Sequence, residues 1–190
     1  MLAKQAASKR AHGAANRVRI VGGRYRSRLL AFPDGAGLRP TPDRVRETLF
    51  NWLGQDLAGW RCVDLFAGSG ALGFEAASRG AARVLMIERD ASAVAALEKN
   101  RTALGAAVDI VRADALVWLV GNRETFDLAF VDPPFDTDMA ASALAGLAPH
   151  IASGGCVYVE QASATVAPPG FVVHRSGRAG RSHFALLRKE

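Results

Sequence analysis

Acidic residues are scarce where this chain begins. Residues 1 to 46 hold 11 Lys/Arg against 2 Asp/Glu, a balance of +9, whereas residues 47 to 190 hold 13 against 16, a balance of −3. Cysteine is scarcer still, with Cys62 and Cys156 the only two in 190 residues. Two thiols cannot build the multi-bridge framework of a small secreted fold, and neither has a Cys or His at metal-ligand spacing, so a structural zinc site is excluded too. Both read as reduced core residues. No apolar run approaches the roughly 20 residues needed to cross a bilayer. Lys4, Lys9 and Arg10 are not followed by the apolar core of an export signal. The expectation is a cytoplasmic protein without membrane contact, and the Ala/Arg-rich start also fits an organellar leader. There is no internal repeat and no low-complexity block beyond an alanine bias, which excludes a solenoid.

A 49% hydrophobic and 22% charged composition over this length specifies one soluble core with a short extension. A basic arm on a slightly acidic body is the electrostatic footprint of a protein that grips a polyanion with one part and does chemistry with another. Residues 1 to 16 have no sustained period and read as a flexible basic tail. From Val18 two β-prone runs flank Gly22-Gly23, so residues 17 to 41 read as a basic hairpin and loop. Its second strand alternates Arg24, Arg26 and Arg28 with Tyr25, Ser27 and Leu29, which puts three guanidinium groups on one face, suited to RNA phosphates. Thr41-Pro42 supplies an N-cap and a first-turn proline for a helix over about 42 to 54, with Val45, Leu49, Trp52 and Leu53 at helical spacing.

Residues 42 to 190 form an α/β body. Strands at 61 to 66, 83 to 88, 107 to 111, 126 to 131 and 155 to 160 alternate with amphipathic helices, the pattern of a parallel, doubly wound sheet. Two further strands, Phe171 to His174 and His183 to Leu187, flank a Gly/Arg-rich loop from Ser176 to Arg181. That loop adds a second basic spot.

Two motifs carry the chemistry. The first runs from Asp64 through Phe66, Ala67, Gly68, Ser69 and Gly70 to Gly73, at a strand end that enters a helix. Gly68, Gly70 and Gly73 formally match a dinucleotide-binding pattern. Asp64 ahead of the glycines favours S-adenosylmethionine instead, with Glu88 and neighbouring Arg89 at the ribose hydroxyls. Asp114 and Ala115 would lie at the adenine, and Asp114 also suits a helix N-cap. The second motif is Asp132-Pro133-Pro134-Phe135 at the end of an apolar strand. A carboxylate, a rigid line of carbonyls and a flat ring in one small volume suit an exocyclic amine of a nucleobase: two acceptors take the N–H groups and leave the nitrogen lone pair aimed at an electrophile. Phe135 would stack on a base splayed out of folded RNA. A hydride-transfer enzyme has no use for this tetrapeptide.

Taken together, Arg19-Ile20-Val21-Gly22-Gly23, the stretch Leu38 to Leu53, Asp64 to Gly73, Asp132 to Phe135 and the closing Phe184 to Arg188 resemble the RsmD family of bacterial small-subunit (16S) rRNA guanine-N2 methyltransferases. The resemblance covers nearly the whole chain after the tail. It implies a class I, Rossmann-like S-adenosylmethionine-dependent methyltransferase fold, with a seven-stranded sheet whose last strand is antiparallel. It also implies methylation of a guanine N2 amine in small-subunit rRNA, within the assembled subunit, by a protein whose size suits a monomer. Arg39, Thr41 and Arg46 would close over the cofactor's carboxylate or touch RNA. Residues 1 to 16 extend past the family's usual start, and Pro42 stands where a second threonine is common. Two other readings remain: a DNA adenine-N6 methyltransferase using the same tetrapeptide, and a non-catalytic rRNA-binding assembly factor. The absence of a sequence-reading domain counts against the first, and the intact motifs count against the second.

Overall fold

Apolar residues alternate along each strand of the body, and this period of two feeds two separate cores, one on each face of a single sheet. In the computed structural model, which describes residues 16–34, 40–134 and 137–190, that sheet has seven strands. They are β3 (Arg61–Asp64), β4 (Arg83–Glu88), β5 (Asp109–Arg112), β6 (Phe126–Val131), β7 (Ile151–Gln161), β8 (Phe171–Ala179) and β9 (Ser182–Lys189), in the spatial order β5-β4-β3-β6-β7-β9-β8. Strands β5, β4, β3, β6 and β7 are mutually parallel, and the final strand β9 runs antiparallel to both of its neighbours. The expected doubly wound sheet with an antiparallel last strand is therefore present.

Helices α1 (Asp43–Trp52), α2 (Ala71–Ser78) and α3 (Ala91–Leu104) lie on one side with Cys62, Val84, Met86, Leu128, Phe130 and Tyr158. Helices α4 (Ala115–Gly121) and α5 (Met139–Leu147) cover the other, over Val63, Leu85, Ile87, Ala129, Val131 and Val157. Both cysteines are free and buried, and burial pushes the Cys62 thiol up to about 12. No helix among the described residues is long and apolar enough to cross a membrane.

The basic hairpin is present with a different tip. Strands β1 (Asn16–Arg19) and β2 (Leu29–Phe32) pair antiparallel, and residues 22 to 27 between them are compact turns, not strand. Arg24, Arg26 and Arg28 are exposed, yet they do not line one face of a strand. Arg24 lies over the buried Tyr25 ring, and Arg28 donates to the Ala103 carbonyl at 2.9 Å. The turn bends this way because α2 captures it. Tyr25 N–H donates to Ser78 Oγ, Ser78 Oγ donates to the Gly22 carbonyl, and Arg24 N–H donates to the Ser78 carbonyl. Gly23 sits at φ +71°, where an added Cβ would come within 2.0 Å of the Ser78 carbonyl oxygen; no side chain fits there. On the other strand, Asn100 of α3 bonds both backbone groups of Ala31, accepting from its N–H at 3.1 Å and donating to its carbonyl at 2.9 Å.

Helix α1 begins one residue later than expected. Pro42 is the N-cap residue in extended geometry, and no side chain caps the helix, because Thr41 turns its hydroxyl elsewhere. Arg46 also differs from expectation. It is fully buried and so presents nothing to RNA. Its guanidinium donates to the Glu75 carboxylate of α2 at 3.1 Å, to Asp43 at 2.6 Å, to the Arg19 carbonyl at 2.7 Å and to the Thr41 carbonyl at 3.1 Å. Glu75 is equally buried and receives Arg79 at 3.0 Å plus the backbone N–H groups of Val21 and Gly22. Removing one partner of such a buried set leaves uncompensated charge, which costs far more than a surface ion pair. Arg46→Ala is expected to lower the unfolding free energy by about 3–5 kcal/mol, measured by urea denaturation, and Arg44→Ala on the same helix by less than about 1 kcal/mol.

Candidate active site

The carboxyl ends of β4, β3, β6 and β7 open onto one cleft of about 840 Å³, within the roughly 300–1,000 Å³ of small-molecule sites. This is where a doubly wound sheet presents its ligand site. Its lining includes Thr41, Asp64, Phe66, Ala67, Gly68, Ser69, Glu88, Arg89, Asp114, Ala115, Asp132, Pro133 and Pro134. Nearly all the residues that the sequence proposes for cofactor and catalysis thus come together. Gly70 lies at the N-cap of α2 behind the lining, at φ +79°, where a Cβ would strike Leu97 and Phe74 within 2.8 Å. Arg39 and Phe135 lie outside the described residues. Arg24, Arg26 and Arg28 do not line the cleft.

The glycine loop is held by its own carboxylates. Gly68 N–H donates to Glu88 at 2.8 Å and Gly73 N–H to Asp64 at 3.1 Å, while Gly70 N–H bonds the Ala67 carbonyl. Three of the N–H groups that could meet a pyrophosphate already have protein acceptors. Among the described residues, Asp64, Glu88, Asp90, Asp114, Asp132 and Glu160 line the cleft against Arg89 and Arg181. An acid-rich wall opposes a dinucleotide's phosphates and suits a ligand with a positive sulfonium, an ammonium, ribose hydroxyls and an adenine amine. Asp64 Oδ1 is buried without a hydrogen-bond partner, an acceptor still available to such donors. The residues present therefore fit S-adenosylmethionine. Asp114 caps α4 by accepting from Leu116 and Val117 N–H through one oxygen, so the cap role holds and its second oxygen faces no contradiction with an adenine contact.

Asp132 follows β6 directly and accepts a hydrogen bond from Thr41 Oγ1 at 3.1 Å. Burial first, and the Glu160 carboxylate beside it second, hold its carboxyl well above the usual carboxylate range, with the Thr41 hydroxyl opposing. Sequence reasoning missed one neighbour, Glu160, and gave another, Thr41, a different role. Glu160, the penultimate residue of β7, lies next to Asp132, because Val131 registers with Val159, and the signal for it was a lone acid near the end of an apolar strand. Thr41 reads as a cap in sequence and instead orients the aspartate. The β8–β9 turn also reaches the cleft through Ala179, Gly180, Arg181 and Ser182, with strand continuing through much of the expected Gly/Arg loop.

Burial raises Asp64 from 3.8 to about 7, against the pull of the Gly73 N–H. Its folded-state pKa lies above its unfolded value, so its contribution to stability is complete below about pH 4 and is lost as pH rises through 7. Ionised, it disfavours the fold by about 4 kcal/mol. Asp64→Asn, neutral at every pH, is expected to melt above the parent at pH 8 with an advantage that shrinks toward pH 5 in thermal scans without cofactor. A melting difference independent of pH would contradict the assignment.

Comparison with known proteins agrees with this geometry. A family model described as "Conserved hypothetical protein 95" matches residues 18–188. The small-subunit ribosomal RNA methyltransferase D of Escherichia coli K12 is 38% identical over 185 residues, covering 94% of this chain and 93% of that one. A solved E. coli structure described as a putative methyltransferase, yhhF, superposes with a TM-score of 0.84 at 39% identity over 92% of this chain and 99% of that one. A Thermus thermophilus 16S rRNA N2 methyltransferase in complex with AdoMet and guanosine shares the fold alone, with a TM-score of 0.70 at 22% identity over 93% of this chain and 50% of that one. A family match over nearly all the described body, joined to an acid-lined cleft that includes Asp132, places this chain in the RsmD family of methyltransferases.

Proposed function

We propose that this protein transfers a methyl group from S-adenosylmethionine to the exocyclic N2 amine of a guanine in small-subunit ribosomal RNA. The observation that carries the reading is that the Asp132 carboxylate shares one cleft with the Asp64–Ser69 loop and Glu88. The relatives' naming as small-subunit ribosomal RNA methyltransferases supports the substrate.

Asp64, the glycine loop, Glu88 and Asp114 would hold the cofactor, which when bound supplies an electrophilic methyl carbon on a sulfonium. The chain's own residues do the rest by alignment. Asp132 accepts one N2 hydrogen and the Pro133 carbonyl the other. This draws the amine toward a tetrahedral shape and frees its lone pair. As the new carbon–nitrogen bond forms and the carbon–sulfur bond breaks, positive charge moves onto N2, opposite the Asp132 carboxylate. The surplus N2 proton then passes to Asp132, whose burial makes it a stronger base than an ordinary carboxylate. Thr41 holds that carboxylate in place. No metal is part of this scheme.

The finer expectations belong to the same reading. The exposed Arg24, Arg26 and Arg28 at the hairpin tip contact RNA phosphates, the substrate is the assembled small subunit, and a monomer suffices. Two tests follow. Asp132→Ala is expected to lower kcat/KM on unmodified small subunits about 10²- to 10³-fold while leaving the cofactor Kd within threefold by calorimetry; retained turnover would exclude the mechanism. Replacing Arg24, Arg26 and Arg28 together by Ser is expected to make the log–log dependence of RNA affinity on salt shallower by about 2, read by filter binding from 50 to 300 mM salt.

A further inference from the structure

Glu160 is 7% exposed, lines the cleft and has no place in the scheme above. Its two oxygens are held separately: Oε2 accepts from the Tyr158 hydroxyl at 2.9 Å and Oε1 from Ser182 Oγ at 2.6 Å. The carboxylate is thereby fixed in orientation, and each oxygen keeps capacity for another donor. It stands beside Asp132 at the ends of two neighbouring parallel strands. Two carboxyl groups this close raise the proton affinity of one of them, as the Asp132 carboxyl shows.

Strand order separates Glu160 from the cofactor's end of the cleft. Along the carboxyl edge the sequence is Glu88 on β4, Asp64 on β3, Asp132 after β6 and Glu160 on β7. At about 4.8 Å per strand, the β7 end lies roughly 10 Å from the β3 end and 15 Å from the β4 end. Glu160 thus sits on the far side of Asp132, where the rest of the target base must lie. If Asp132 takes an N2 hydrogen, the next group along the same edge of guanine is N1–H, a donor. Adenine and 2-aminopurine carry a lone pair at N1, which a carboxylate repels.

We propose that Glu160 is a specificity-determining residue that accepts the N1–H of the target guanine, with Tyr158 and Ser182 as the residues that position it. The proposal rests on the guanine-N2 reading and deepens it. A site built to hydrogen-bond one group rejects the analogue lacking it far more strongly than an apolar pocket rejects a missing methylene. A second cavity, of about 500 Å³ between Pro134, α5 and residues 161 to 166, also takes in Pro133, while Glu160 lines only the first.

The test uses the full-length protein and small-subunit RNA carrying either guanine or 2-aminopurine at the base the parent protein methylates. 2-Aminopurine keeps the reactive N2 amine and replaces the N1 donor by an acceptor. The parent is expected to favour guanine at least 100-fold in kcat/KM. Glu160→Gln, whose amide can donate to the N1 acceptor, should reduce that preference at least tenfold with the S-adenosylmethionine Kd within threefold of the parent, which also reports an intact fold. Tyr158→Phe, which frees one carboxylate oxygen, should reduce it by a smaller factor at unchanged cofactor affinity. An unchanged preference in Glu160→Gln overturns the proposal, as does a loss confined to cofactor binding. A parent protein that labels no guanine at all overturns the guanine-N2 reading, and this proposal with it.

Discussion

The architecture around the cleft depends on one buried carboxylate in the middle of an apolar helix. Glu75 takes two backbone N–H groups from the hairpin tip, the Arg46 guanidinium from α1 and that of Arg79 from its own helix. Three segments of the chain, the hairpin, α1 and α2, therefore meet at one group. Charges this deep are tolerated only when every donor and acceptor is matched, and here Asp43, the Arg19 carbonyl and the Thr41 carbonyl complete the Arg46 side. Arg79 also lies over the Phe50 ring at 4.5 Å, which ties the polar node to the apolar core beneath it. From Arg46 the path continues through Thr41 to Asp132, so the docking of an N-terminal hairpin bears on the pose of the Asp132 carboxylate.

A second constraint is the sign of the cleft. The same right-handed α/β frame serves dinucleotides elsewhere by pointing free N–H groups at phosphates. Here Asp64 and Glu88 occupy those N–H groups themselves, which converts an anion site into one for cationic and hydroxylic ligands. The polarity of the loop is decided by two side chains outside the glycine pattern, and the glycines alone carry no such information. They explain only how closely α2 approaches β4, where Gly73 leaves no room between itself and Met86.

Much of this was legible in the sequence because it is local. Strand ends at Asp64, Glu88 and Asp132 follow from apolar runs stopped by acids and glycines, and the parallel order follows from the alternation of elements. What was not legible is tertiary. Apart from Asp43 one helical turn away, the partners that bury Arg46 come from residues 19, 41 and 75, which its own helix does not reveal. Thr41-Pro42 has the composition of a helix cap, but a partner 91 residues away claims the hydroxyl. Arg24, Arg26 and Arg28 alternate as a strand would, but Ser78 bends that backbone into turns. Glu160 was hidden by its ordinary context, an acid near the end of a strand, and its meaning came only from the register that sets it beside Asp132.

The clamp that Asn100 places on Ala31 has a bearing on self-association. A hairpin of four-residue strands ordinarily offers its outer backbone to any stray partner, and this one has part of that rim closed by a side-chain amide. The remaining open borders, β8 with His174, Arg175 and Arg178 and β5 with Asp109 and Arg112, carry charge along their length. Charge along these described edges opposes strand-to-strand pairing between copies of the chain.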